Sequence, residues 1–135
     1  MGDVLVIFGF LWMVAAALLG LYLGATHAAH LEKLENIAKG GTLFDYHQRL
    51  DAYKWRVTVH AHAFLFSIVI VLIGLVIHKT NFSDAATDAL GYGLIAAPVL
   101  WSVGGLRHSK PLMGAGDLLL LLGIVATLAG LAKII

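Results

Sequence analysis

The sequence has no cysteine, only two prolines and little charge: Asp, Glu, Lys and Arg make up 13% of its 135 residues. Without cysteine there can be no disulfide scaffold and no Cys-ligated zinc or iron–sulfur site. A soluble domain typically carries about 25% charged residues and roughly 45–50% apolar ones. Here 60% are apolar and the mean hydropathy is +0.89. A soluble chain of this size has too little interior to hide that much apolar surface. The composition therefore indicates an integral membrane protein and excludes a disordered chain. The net charge of +1 says nothing about partners, and no basic block points to nucleic acid.

Four apolar runs carry the architecture. Val4–Thr26 is free of charge, and Val57–Ile77 holds His60 and His62 near its start and no charge after them. Leu112–Ala132 carries one acid, Asp117, and the weaker run Ala85–Leu106 contains Asp88 and Pro98. Each is about 20 residues, the length that crosses a hydrocarbon core of roughly 30 Å as a helix. In lipid the backbone must satisfy its own hydrogen bonds, which leaves helices as the reading of such runs. The expected fold is all-α, an integral membrane four-helix bundle in one domain. Its helices are expected over about 4–29, 57–78, 85–106 and 112–133, with one long loop over 30–56. His30–Lys39 could extend the first helix, with Leu31 and Leu34 at helical spacing and Gly40-Gly41 to end it. The start, Met1-Gly2-Asp3, lacks a positive n-region, so the first run is expected to remain as a span, and myristoylation is unsupported.

Lys33, Lys39, Arg49, Lys54 and Arg56 fall in the first connection and Arg107 and Lys110 in the third, against Lys79 and Lys133 on the other side. The positive-inside rule then places 30–56 and 107–111 in the cytoplasm and both termini outside. Ala16, Gly20, Gly24 and Ala28 recur every fourth residue, and Gly116, Gly123 and Gly130 every seventh. Such strips allow close helix approach, either within the bundle or between copies of the chain.

The polar residues of an up-down bundle gather at one leaflet: His27 and His30, His60 and His62, Arg107 and His108, and Asp117. Ionisable groups within a membrane are costly and usually functional, and histidine is the commonest metal ligand. Each also has a structural reading. The histidines could hydrogen-bond across helices at headgroup level, and Asp117 could answer the dipole of the fourth helix. A carboxylate beside a histidine could instead orient a ring nitrogen for metal binding. His27 and His30 are three residues apart and share a face. His60 and His62 lie about 200° apart around a regular helix, so one small ion cannot take both. Ser67, Ser102 and Ser109 have no nucleophile-elbow context, and neither a phosphate loop nor H-E-x-x-H is present.

Trp55-Arg56-Val57-Thr58-Val59-His60-Ala61-His62-Ala63, running into an apolar helix, resembles the second helix of membrane-bound styrene oxide isomerases. Leu90-Gly91-Tyr92 is similar to the start of that family's third helix, and Gly114-Ala115-Gly116-Asp117 to the Gly-Pro-Gly-Asp that opens its fourth. The resemblance covers about residues 55–130. It implies a homotrimer holding heme b at subunit boundaries, with His60 as axial ligand, His62 as second candidate and ferric iron as a Lewis acid toward an epoxide. The family's Asn six residues after the ligand is Phe66 here, and its late helix-three Tyr is Gly105 or Leu106. The resemblance thus carries the fold and the heme, but not epoxide isomerisation, and leaves open whether the chain is an enzyme.

Three functions follow. The first is a heme b membrane protein, with His60 or His62 as ligand, His27 of a neighbouring subunit as a further axial candidate, and Arg107 and Lys110 toward the propionates. The second is a copper or zinc protein using His27, His30, one of His60 and His62, and Asp117. The third is an accessory subunit of a larger membrane oxidoreductase. The partners common to all are the lipid bilayer and further copies of the chain.

Overall fold

The computed structural model describes residues 1–132 and is all-α. Its helices are α1 (Gly2–Gly40), α2 (Leu43–Val76), α3 (Asp84–Leu106) and α4 (Lys110–Ala132), with a 3-10 turn at Ile77–Lys79. All four helices are long and apolar enough to cross a membrane. Lys133, the expected end of the fourth helix, lies outside the described residues.

The expected loop over 30–56 is corrected: only Gly41 and Thr42 separate α1 from α2. Leu43–Arg56 is polar enough to escape a hydropathy reading, yet Tyr46, Leu50 and Tyr53 recur at helical spacing and are half-buried, with Tyr53 against His27 and His30 of α1. At the hairpin tip the Gly41 N–H donates to the Ile37 carbonyl at 2.7 Å. A Cβ on Gly41 would meet that same oxygen at 2.9 Å, so a larger residue would push the turn open. Thr42 then opens α2 with a capping box. Its Oγ1 accepts from the Asp45 N–H at 3.2 Å, and the Asp45 carboxylate accepts from the Thr42 N–H at 3.2 Å.

These lengths set the shape. The 39 residues of α1 make a rod of about 58 Å, far longer than the hydrocarbon core of roughly 30 Å. The 23-residue helices α3 and α4 reach about 34 Å and just cross it. Trp55 meets His108 edge to face, ring centroids 5.5 Å apart, which places the α3–α4 turn level with Trp55. The α1–α2 hairpin therefore projects from the bilayer beyond that level. His108 itself sits at φ 55°. It takes the left-handed position of a Schellman ending, with the Ser109 N–H donating to the Gly104 carbonyl at 2.7 Å.

Inside the membrane α1 packs on α2, α2 on α3, and α3 on α4. Leu5, Val59, Phe66, Ile70, Leu94 and Trp101 form the core. The α4 glycine strip serves the bundle: Gly116 lies on the Ala97 carbonyl and Trp101, Gly123 on Leu94, and Gly130 on Thr80 and Phe82. The α1 strip divides. Ala16 is buried and Gly20 is covered by His60, while Gly24 has nothing within 4 Å of where a Cβ would stand. The outer faces carry Leu11, Leu21, Leu118 and Leu128, each more than half exposed, as lipid contact requires.

Candidate functional site

His60 and His62 point to opposite sides of α2, as the 200° between them requires. His60 reaches α1, where its Nδ1 lies 2.8 Å from the Ala16 carbonyl. A carbonyl only accepts, so in the neutral ring Nδ1 carries the proton and Nε2 keeps the lone pair. The ring lies flat over Gly20; a Cβ there would stand 2.8 Å from Nε2. His62 turns toward α3, with Nδ1 3.0 Å from the Thr58 carbonyl one turn back. Its ring stacks on the buried Trp101 at 4.1 Å and 7° between planes. Both histidines thus commit Nδ1–H to a backbone carbonyl and leave Nε2 as a donor atom, the arrangement that orients imidazole ligands.

The two positions that depart from the resembled family have clear packing roles. Phe66 is buried against Trp101, ring centroids 6.1 Å apart. Gly105 is buried where a Cβ would strike the Val59 side chain, so no larger residue fits there. Leu106 is exposed.

His27 and His30 belong to a different place. His27 Nδ1 shares a 2.7 Å hydrogen bond with the Tyr53 hydroxyl, and His30 stacks on the Tyr53 ring at 4.0 Å and 14°. Tyr53 precedes His60 by seven residues, which sets the two histidine pairs about 10 Å apart along the bundle. A cyclic assembly about the membrane normal preserves depth. In such an assembly His27 of a neighbour would stand about 10 Å along the axis from His60.

Asp117 follows Gly116, which packs against Trp101, so it stands at the depth of His62. Its side chain is exposed on the outer face of α4 and makes no hydrogen bond or ion pair among the described residues. Arg107 and Lys110 are exposed at the α3–α4 turn. His27, His60, His62 and Asp117 lie toward the same end of the bundle, but they do not converge. Among the described residues no three His, Asp or Glu side chains are grouped to hold a metal ion.

A second cluster lies between α1 and α2 at the base of the hairpin. Lys33 and His30 on α1, with Arg49, Tyr53 and Arg56 on α2, line two adjoining clefts of about 140 and 170 Å³. His30 Nε2 is buried and lacks a partner. His30 stands beyond the Trp55 level, outside the hydrocarbon. Burial, and then the positive charges of Arg49, His27, Arg56 and Lys33, hold its pKa below the usual imidazole value. Spacing gives the signal that was missed: Arg49, Tyr53, Arg56 and His60 follow one another by four, three and four residues, a single helical face. That pattern is visible only once 43–56 is read as helix.

No family model, curated protein or solved structure matches the chain.

Proposed function

We propose that this chain is a membrane heme b protein whose axial ligand is His60, with His62 as the second candidate. The observation that carries the reading is the fixed tautomer of His60, its Nδ1–H held by the Ala16 carbonyl at 2.8 Å and its Nε2 left to donate. The donor set fits heme better than a bare ion. A zinc or copper site needs three or more converging protein donors, which the described residues do not assemble. Iron in a macrocycle already has four nitrogens and needs only one or two from the protein.

The surroundings of His60 suit a flat ligand. Gly24, one turn along α1 from Gly20, offers an open shelf with no side chain within 4 Å of its missing Cβ. Arg56 lies one turn from His60 on the same face of α2, placed to hold a propionate. A heme held there would supply electron transfer or Lewis-acid chemistry. Phe66 and Gly105 offer no polar guide to a substrate, so the chain favours redox or sensing over epoxide isomerisation.

Asp117 supports assembly into an oligomer, which the family resemblance makes a trimer. A carboxylate on the outer face about 10 Å inside the α3–α4 turn is costly against acyl chains, so that face meets protein or ligand rather than lipid. The hairpin tip and the α3–α4 turn are placed in the cytoplasm, because Lys33, Lys39, Arg49, Lys54, Arg56, Arg107 and Lys110 all stand at that end.

The test is purification in mild detergent after expression with ample heme supply, followed by pyridine hemochrome and elemental analysis. Stoichiometric heme b is the expected result. A colourless protein with bound copper or zinc would overturn the reading.

A further inference from the structure

We infer that the cleft between α1 and α2 at headgroup level is a binding site for the phosphate of an anionic phospholipid. Lys33, Arg49 and Arg56 converge on it from two helices, together with His30 and the Tyr53 ring. The chain does not neutralise these cations. Among the described residues the only ion pair is Lys39–Glu35 at 2.6 Å, farther out on α1. None of the nearby acids forms an ion pair with the cleft cations. Asp45 borders Arg49 in an adjoining hollow but is held by Thr42 in the capping box, Asp51 lines the separate hollow beside Trp55 and His108, and Glu32 is exposed. His30, which lines both clefts, leaves its buried Nε2 without a hydrogen-bond partner.

The position selects a lipid over a free anion. Arg56 adjoins Trp55, which is level with the α3–α4 turn and so with the membrane boundary. From there the larger cleft runs down α1 past Ala29, Thr26, Leu23 and Tyr22. A ligand lying in it meets cations at the outer end and the uncharged side chains of Ala29, Thr26, Leu23 and Tyr22 toward the acyl chains. That gradient matches a phosphodiester carrying acyl chains, as basic pockets between membrane helices do. Arg56 is shared with the proposed propionate contact, whereas His30, Lys33 and Arg49 lie farther from His60 toward the hairpin tip.

The experiment uses the whole protein in nanodiscs of phosphatidylcholine with a minor fraction of phosphatidylglycerol. Native mass spectrometry reads the lipids retained on release. Wild type is expected to keep phosphatidylglycerol in excess of its share of the bilayer. Arg49→Gln with Arg56→Gln should lower that preference roughly 30-fold, at about a factor of five per cation. Lys39→Gln with Lys54→Gln, which removes the same charge outside the cleft, should leave it intact. Equal loss in both pairs, or no loss in the first, overturns the site. Displacement of the lipid by millimolar inorganic phosphate shows a free-anion site and overturns the lipid assignment. Loss of heme with lipid retained shows that the cations serve the cofactor, and overturns it as well. Photo-crosslinking of wild type with a diazirine phosphatidylglycerol does not depend on a variant folding. Adducts on the His30 and Tyr53 peptides are expected, and adducts confined to α3 and α4 contradict the proposal.

Discussion

Gly20 and Gly24 are neighbours on one strip of α1, yet alanine should act oppositely at the two. At Gly20 the new methyl enters the His60 ring, with Nε2 only 2.8 Å away. The ring must move, and its 2.8 Å bond to the Ala16 carbonyl is strained or lost. That bond is worth about 0.6 kcal/mol on average between membrane helices, and overpacking costs about 1–3 kcal/mol. At Gly24 the methyl meets nothing within 4 Å. Both substitutions gain the same helix propensity, about 1 kcal/mol, which cancels in the comparison. Gly20→Ala should therefore be about 2 kcal/mol less stable than Gly24→Ala. Reversible unfolding of heme-free protein in mixed micelles, followed by circular dichroism, measures the difference. In a His60→Ala background the clash partner is gone, and the two alanines should become equivalent within about 0.5 kcal/mol. Equal stabilities in the wild-type background, or a difference that survives His60→Ala, would refute the packing of His60 against Gly20.

Thr42→Ala removes the cap of α2 and should cost about 1 kcal/mol, seen as faster amide exchange in residues 43–46 with the membrane helices unaffected. Hydrogen bonds from the Thr42 side chain and backbone hold the Asp45 carboxyl below its usual value. The folded pKa is depressed, so this contribution is present above the unfolded carboxylate range and fades as pH falls through the folded value. The protection factors of amides at the hairpin tip should therefore fall below about pH 4, and Asp45→Asn should abolish that fall. His27→Ala should leave the spin state of bound heme unchanged, because His27 lies about 10 Å along the bundle from His60; a low-spin to high-spin change in its optical spectrum would contradict that separation.

The membrane spans were legible because lipid imposes long apolar runs on the sequence, and the opposed directions of His60 and His62 followed from helical pitch alone. The projecting hairpin was not, although its signals were present: Thr42 and Asp45 at capping-box spacing, and Leu50, Tyr53 and Val57 at helical spacing. Hydropathy hid them, since a helix outside the bilayer needs only one apolar face. As a loop, that segment would give Arg49, Tyr53 and Arg56 no common face; only as a helix does it bring them to one cleft with His30. The cover that His60 gives Gly20 was equally out of reach. It depends on the register of α1 against α2, which fourfold spacing of small residues permits but does not specify.

The central claim is that His60 Nε2 is the atom that holds the cofactor. The most direct measurement is the absorption spectrum of purified wild type, His60→Ala and His62→Ala at matched protein concentration. The account predicts a Soret band in wild type, its loss in His60→Ala, and a weakened but ligated spectrum in His62→Ala. A wild-type band in His60→Ala would contradict it.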